Sequence, residues 1–437
     1  MLGAKRALFL VGPAFLLTAM GCGVPATVSP TVAVSTRAGP TSTTTPRLQL
    51  ESPTIVVATA LPLTSVPPPT AAPVANTPQP AAPPGYREGQ EIDLSLIEMV
   101  DLMDGWGVSG PNVLRTRDGG QSWREVTPPD PLLSATASEA FGAFLDQDNA
   151  WVVFRHSHRI PSETVIWHTT DGGATWSASA TILQESIGEE QWAEFSAVDA
   201  NHAWVAFRGV YLGAGTHYTA HFFRTANGGI TWDPLVADVG VDYTGFVFAG
   251  QDNGWLTWQT TGAYAAGPPE YAVTRDGGLT WDVAPLPPPD DAPTLFDDYE
   301  YSEPFQPNLL STRAARLLVS SFQYDFHPEA FTSYLYATEN GGEDWETHEL
   351  PSVVLASEST LIFFDAENGL LLGREIYRTE DAGQTWQHVK TVSWDGQFSF
   401  VDSLHGWAVA RSGEAIALVK TYNGGSTWVE LDPRAAR

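Results

Sequence analysis

From Glu91 onward the chain is a series of short apolar runs broken by Gly, Asn and Asp, and no stretch holds a helical period; Ser134–Phe144 comes nearest. The runs recur in sets of four. An apolar strand ends in an Asp/Asn/Gly turn, and a second strand then opens on Trp. A third leads into an eight-residue box, as in Val113-Leu114-Arg115, and a fourth leaves it, as in Trp123-Arg124-Glu125-Val126. The turn phrase stands at 101–106, 146–151, 199–204, 252–255, 365–370 and 402–407, with Leu370 in place of Trp in one copy. The fifth set lacks the phrase, and Leu317-Leu318-Val319 is expected to supply its second strand.

The box is Ser/Thr-x-Asp/Asn-x-Gly-x-x-Trp. Its seven copies close on Trp123, Trp176, Trp232, Trp281, Trp345, Trp386 and Trp428, at intervals of 53, 56, 49, 64, 41 and 42 residues. Four antiparallel strands per repeat at this period predict an all-β fold, a seven-bladed β-propeller, with six and eight blades as the alternative counts. The fifth box position is always Gly, as a turn with positive φ requires. The third is Asp118, Asp171, Asp276 and Asp381, but Asn227, Asn340 and Asn423 in the other three copies. Amide and carboxylate can both cap a turn, whereas a general acid or a charged metal ligand does not interchange so freely. The boxes are therefore expected to fasten strands, each closing tryptophan burying its ring between them.

With all seven copies fitting, the box resembles the Asp box of bacterial sialidases and related propellers, which implies a hairpin turn between a blade's third and fourth strands. The combined pattern, best at 98–126, 362–389 and 398–431, resembles the photosystem II assembly/stability factor-like proteins. That resemblance implies a seven-bladed propeller working as a non-enzymatic binding module.

The N-terminal segment is of another kind. Residues 23–90 hold 14 Pro and 12 Thr but none of the chain's 16 Trp, too little apolar area to offset backbone ordering, so they are expected to be a disordered tether. Before it, Lys5-Arg6 and the apolar run 7–20 form a secretory-signal pattern. Ala19-Met20-Gly21-Cys22 resembles the lipobox of bacterial lipoproteins, which implies acylation of Cys22 and an extracytoplasmic, membrane-anchored protein. The expected domains are 1–21 signal peptide, 22–90 lipid-anchored linker and 91–437 propeller.

Charge narrows the partners. Residues 91–437 carry 49 Asp+Glu against 17 Lys+Arg, a net of 17 − 49 = −32, which argues against nucleic acid. With a single Cys no intramolecular disulfide can form. A monomer binding a protein complex or a glycan, with no cofactor and no metal, is the leading expectation. The alternative is a carbohydrate-active enzyme, sialidase-like or another glycoside hydrolase, with unrecognised carboxylates.

Other candidates are scattered. His158-Arg159-Ile160-Pro161 echoes the Arg-Ile-Pro phrase of sialidases, but it follows box one, whereas in that family the phrase precedes the first box. Arg115, Arg224 and Arg378 hold one place before their boxes and read as repeat features. His156 and His158 would need further ligands to hold a metal. An acidic insertion at about 285–307, with Asp297, Asp298 and Tyr299, is a candidate for calcium or a basic partner. Trp167 and Trp258 are expected in the core. Trp192 and Trp394, expected just ahead of their first strands near a channel mouth, are candidate binding residues.

Overall fold

The computed structural model describes residues 85–436 except 131–136, 157–162, 184–191, 212–217, 236–242, 259–266, 299–300, 323–330 and 352–358. Cys22, His158, Arg159 and Tyr299 lie outside the described residues. Seven blades of four antiparallel strands in sequence order follow one another along the chain, with a small two-stranded sheet of Glu163–Thr164 and Ile182–Leu183 besides. This is a seven-bladed β-propeller. The one helix of the described residues is the single turn Leu295–Asp298, and none is long and apolar enough to cross a membrane.

The first strand of each blade is innermost, since neighbouring blades meet chiefly through these strands. They are Leu96–Met99, Ala137–Phe144, Trp192–Ala197, Tyr243–Phe248, Tyr301–Pro304, Thr360–Phe363 and Asp395–Phe400. The described part of the segment nearest a helical pattern, Ala137–Phe144, is thus a strand, and Trp192 opens the first strand of blade three instead of preceding it. Blade five uses Ala315–Phe322 as its second strand, as expected.

Each box spends its side chains on itself. Thr116 Oγ1 donates to Asp118 Oδ1 and accepts from the Gly120 amide, and Asp118 Oδ1 accepts from the Ser122 amide at 2.9 Å. The same set recurs in every copy, for example around Thr225–Asn227–Gly229 and Thr379–Asp381–Gly383. The Asp/Asn interchange has a local cause. Asp171 Oδ2 accepts from the Thr175 hydroxyl, while Asn227 Nδ2 donates to the Thr231 hydroxyl, a group able to play either part. In box five the seventh residue is Asp344, an acceptor, and Asn340 Nδ2 donates to it at 2.9 Å.

The two repeated phrases are joined to each other. The amide of the fourth box residue donates to a carbonyl of the same blade's turn in all seven blades, from Gly119 to Met103 O through Gly424 to Leu404 O. That fourth residue is left-handed throughout, and in blade six it is Ala382 (φ 64°). Blade five keeps the arrangement without the phrase: Ser311 Oγ accepts from the Arg313 and Ala314 amides, as Asp101 Oδ1 does from Met103 and Asp104.

The deepest tryptophans are those opening the second strands. Trp106, Trp151, Trp204, Trp255 and Trp407 are fully buried, whereas the box tryptophans are half-buried apart from Trp123 and Trp232. The second-strand ring reaches the next blade: Trp106 Nε1 donates to Asp146 O and Trp204 Nε1 to Gly277 O. In blade five Arg316 occupies this place and donates to Ala366 O of blade six, so the inter-blade reach survives the loss of Trp. Arg115 and Arg224 likewise donate to blade two and blade four carbonyls, Gln147 O and Asp276 O, whereas Arg378 pairs with Glu380 of its own box.

The ring closes between blade seven and blade one, whose sheet also takes a strand from the C-terminus. Trp407 Nε1 donates to Gly119 O, and Ser399 and Gln397 of blade seven accept the Met99 and Ile97 amides. The C-terminal strand Arg434–Ala436 then pairs in parallel with Ser122–Glu125 at the outer edge of blade one. Tyr86 also packs on blade one, its hydroxyl donating to Ser109 Oγ at 2.7 Å.

Candidate functional site

Because boxes and turn phrases both end on one face, that face is built of repeated, internally satisfied turns. The opposite face carries the variable connections. Where the inner strands open onto this second face, the charged residues that the repeats do not explain come together.

Register places them. Arg155, Arg208 and Arg411 each stand five residues past the first residue of their second strands, Ala150, Ala203 and Gly406. Their cross-strand partners on the innermost strands are Glu139, Trp192 and Asp395. Glu303 pairs Ser320 at the same level in blade five. Three blades thus present an arginine at the same depth, in a protein of net charge −29.

The densest group spans three blades. Arg208 donates to Tyr243 O at 2.6 Å and lies 4.7 Å above the Tyr243 ring. Glu194 of blade three and Glu303 of blade five both feel the Arg208 charge. Withdrawal from water outweighs that charge and raises each carboxyl to about 7. The Tyr243 hydroxyl is fully buried against Glu194, and burial raises it well above the ordinary tyrosine value.

On the other side of the opening Arg155 pairs with Glu139 at 3.0 Å, and Arg411 donates to Ser95 O of blade one at 2.7 Å. Arg374 holds Asp395 through two bonds of 2.6 and 2.8 Å. Glu98 of blade one keeps contact with water but lies deep in the ring, and loss of bulk solvation raises it to about 7.

The structure does not gather the residues singled out from sequence. Trp192 belongs to this opening, opposite Arg208 in register and 5.6 Å from the Phe141 ring. Trp394 stands on the connection into blade seven, edge-on to Trp428 at 5.6 Å. The acidic insertion is anchored, since Leu295 and Phe296 are buried in the core shared by blades four and five while Asp297 is exposed. Trp167 and Trp258 are core, as expected. Among the described residues no group of three or more His, Cys, Asp or Glu could hold a metal ion. Arg208, Glu194 and Tyr243 escaped sequence reading because their blades differ in strand length. Only the three-dimensional register aligns them.

No family model matches the chain, and no curated protein matches it. Solved structures of similar fold include YCF48 bound to D1 peptide, at 18% identity over 77% of this chain and 98% of that one, TM-score 0.47. YCF48 from Cyanidioschyzon merolae is 16% identical over 77% and 99%, TM-score 0.48. A PL25 ulvan lyase is 11% identical over 80% and 95%, TM-score 0.46. At these identities the likeness is one of fold, and the fold is shared by binding proteins and enzymes alike.

Proposed function

We propose that this chain is a membrane-tethered propeller that binds a protein partner, without catalysis, at the channel opening lined by Arg155, Arg208 and Arg411. The observation that carries the reading is the state of those side chains. Arg208 and Arg411 are fixed on backbone carbonyls and Arg155 on Glu139, so the three guanidinium charges are held in place at low entropic cost. The Tyr243 side chain, with Arg208 stacked over its ring, is closed to solvent. Acyl chains on Cys22 and the Pro/Thr-rich tether hold the head outside the cytoplasmic membrane.

The test is crosslinking of the full-length protein in its source membranes, comparing Arg208→Ala and Arg411→Ala with the parent. A discrete protein adduct that both substitutions abolish is expected; an adduct indifferent to both removes the opening from the function. Cys22→Ala is expected to release the protein from the membrane fraction, and continued sedimentation with membranes would overturn the anchor.

One observation favours a second reading, a carbohydrate-active enzyme. Glu194 and Glu303, raised to about 7 beside Arg208, have the proton affinity of general acids near neutrality. Turnover of any member of a fluorogenic glycoside or polysaccharide panel, lost in Glu194→Gln or Glu303→Gln, would establish it in place of the first.

A further inference from the structure

Independently of the channel opening, the turn phrases of the box face depart from their polar pattern in two blades. The third turn residue, two before the second strand, is Asp148, Asn201, Asp252, Arg313 and Glu367 in blades two to six. In blades one and seven it is Met103 and Leu404, exposed at 52% and 42%. Leu102 beside Met103 is 44% exposed, and the second box residue of blade seven is Tyr422, at 57%. These are the two blades that meet at ring closure, so the four apolar side chains fall on either side of one seam.

The seam is continuous. Gly119 receives the Trp407 indole N–H, and a Cβ built on it would stand 2.9 Å from Leu102 O and 3.1 Å from Lys420 Nζ. The Lys420 ammonium lies 4.2 Å from the Trp407 ring and 4.9 Å from the Tyr422 ring, and His405 meets Tyr422 edge-on at 6.1 Å. One buried cation therefore sits under the patch. Asp101 and Asp402, each anchored by two turn amides, stand at its margins, with Asp118 beside them.

We infer that the blade seven–blade one seam on the box face is a docking surface for a protein partner that presents an apolar protrusion ringed by Lys and Arg. Exposed apolar residues clustered at one seam mark interaction sites. The acidic margin selects the occupant. A second copy of this chain would set Asp101 and Asp402 against their own kind, at net charge −29 on each molecule. Anionic lipid headgroups meet the same repulsion. A cationic rim meets complementary charge, while the apolar centre supplies the anchor.

The test uses the full-length protein in neutral detergent micelles and two fluorescent amphipathic peptides, one of leucine and lysine and one of leucine and glutamate. The lysine peptide is expected to bind, and Met103→Ser with Leu404→Ser to weaken it at least about tenfold, as removal of central apolar anchors does. Ile230→Ser with Leu279→Ser, exposed apolar residues of other boxes, is expected to leave binding within about twofold. Equal binding of the glutamate peptide would overturn the inference, as would equal loss in both double variants or no lysine-peptide binding at all. A dimer in sedimentation that Met103→Ser with Leu404→Ser dissolves would assign the seam to a second copy instead. An unchanged melting temperature in both double variants is the control for folding.

Discussion

The indole N–H of Trp407, in the last blade, donates to the carbonyl oxygen of Gly119 in the first, 2.9 Å across the seam where the ring closes. The same bond occurs within the ring, from Trp204 to Gly277 O, so closure reuses the joint between ordinary neighbours. Trp407→Ala is expected to cost about 3–5 kcal/mol, seen as a lowered unfolding midpoint in denaturant. Trp407→Phe keeps most of the area but strands the Gly119 carbonyl, at about 1–3 kcal/mol. Trp386→Ala, in a half-buried box position, is expected to cost less than Trp407→Ala. Equal costs would remove the distinction between the two tryptophan sets.

Box five couples half-buried Asn340 to exposed Asp344. Asn340→Asp would set a second carboxylate against Asp344, losing a hydrogen bond and adding repulsion, for about 1 kcal/mol. Asp344→Thr in the same chain is expected to restore stability, because Thr175 and Thr280 fill that place beside Asp171 and Asp276. A double-mutant cycle measures the coupling, and additive effects would refute it.

Ala382 carries the one positive φ outside glycine among the described residues. Ala382→Gly relieves a left-handed strain of about 1–2 kcal/mol at some cost in unfolded-state entropy, so a net gain of about 0.5–1 kcal/mol is expected from thermal unfolding. The neighbouring Gly383→Ala should destabilise strongly, since its Cβ would stand 2.1 Å from Leu335 Cδ2.

Acidity acts in two windows. Glu98, Glu194 and Glu303 rise from 4.5 to about 7 on folding, so between those values the folded state binds more protons than the unfolded. Stability therefore falls as pH rises from about 4.5 to 7, and levels off above. Asp199 works in the opposite sense. Burial opposes its ionisation, but the amides of Asn201 and His202 with the side chains of His202 and Gln251 outweigh it and hold the carboxyl at about 2. Its contribution is present above 3.8 and lost as pH falls toward 2. Melting temperatures from pH 3 to 9 are expected to show both slopes, and Glu194→Gln with Glu303→Gln to flatten the upper one.

By itself the sequence determined the repeat and so the architecture. Thr, Asp or Asn, Gly and Trp at fixed spacing write a local turn whose hydrogen bonds lie within eight residues, and local chemistry is legible in one dimension. It also showed why Asp118 and Asn227 are equivalent fasteners and not catalytic groups. Tertiary structure decided what depends on neighbours. Arg316 could not be seen as the substitute for a tryptophan until its reach to Ala366 was in view, and the box amides gave no sign of bonding the turn phrases. Trp192, Arg208, Tyr243 and Glu303 lie in three blades, separated by loops of unequal length, and meet only because ring closure brings equal strand depths to one opening. Met103 and Leu404 are 301 positions apart in sequence and come to the two sides of one seam for the same reason.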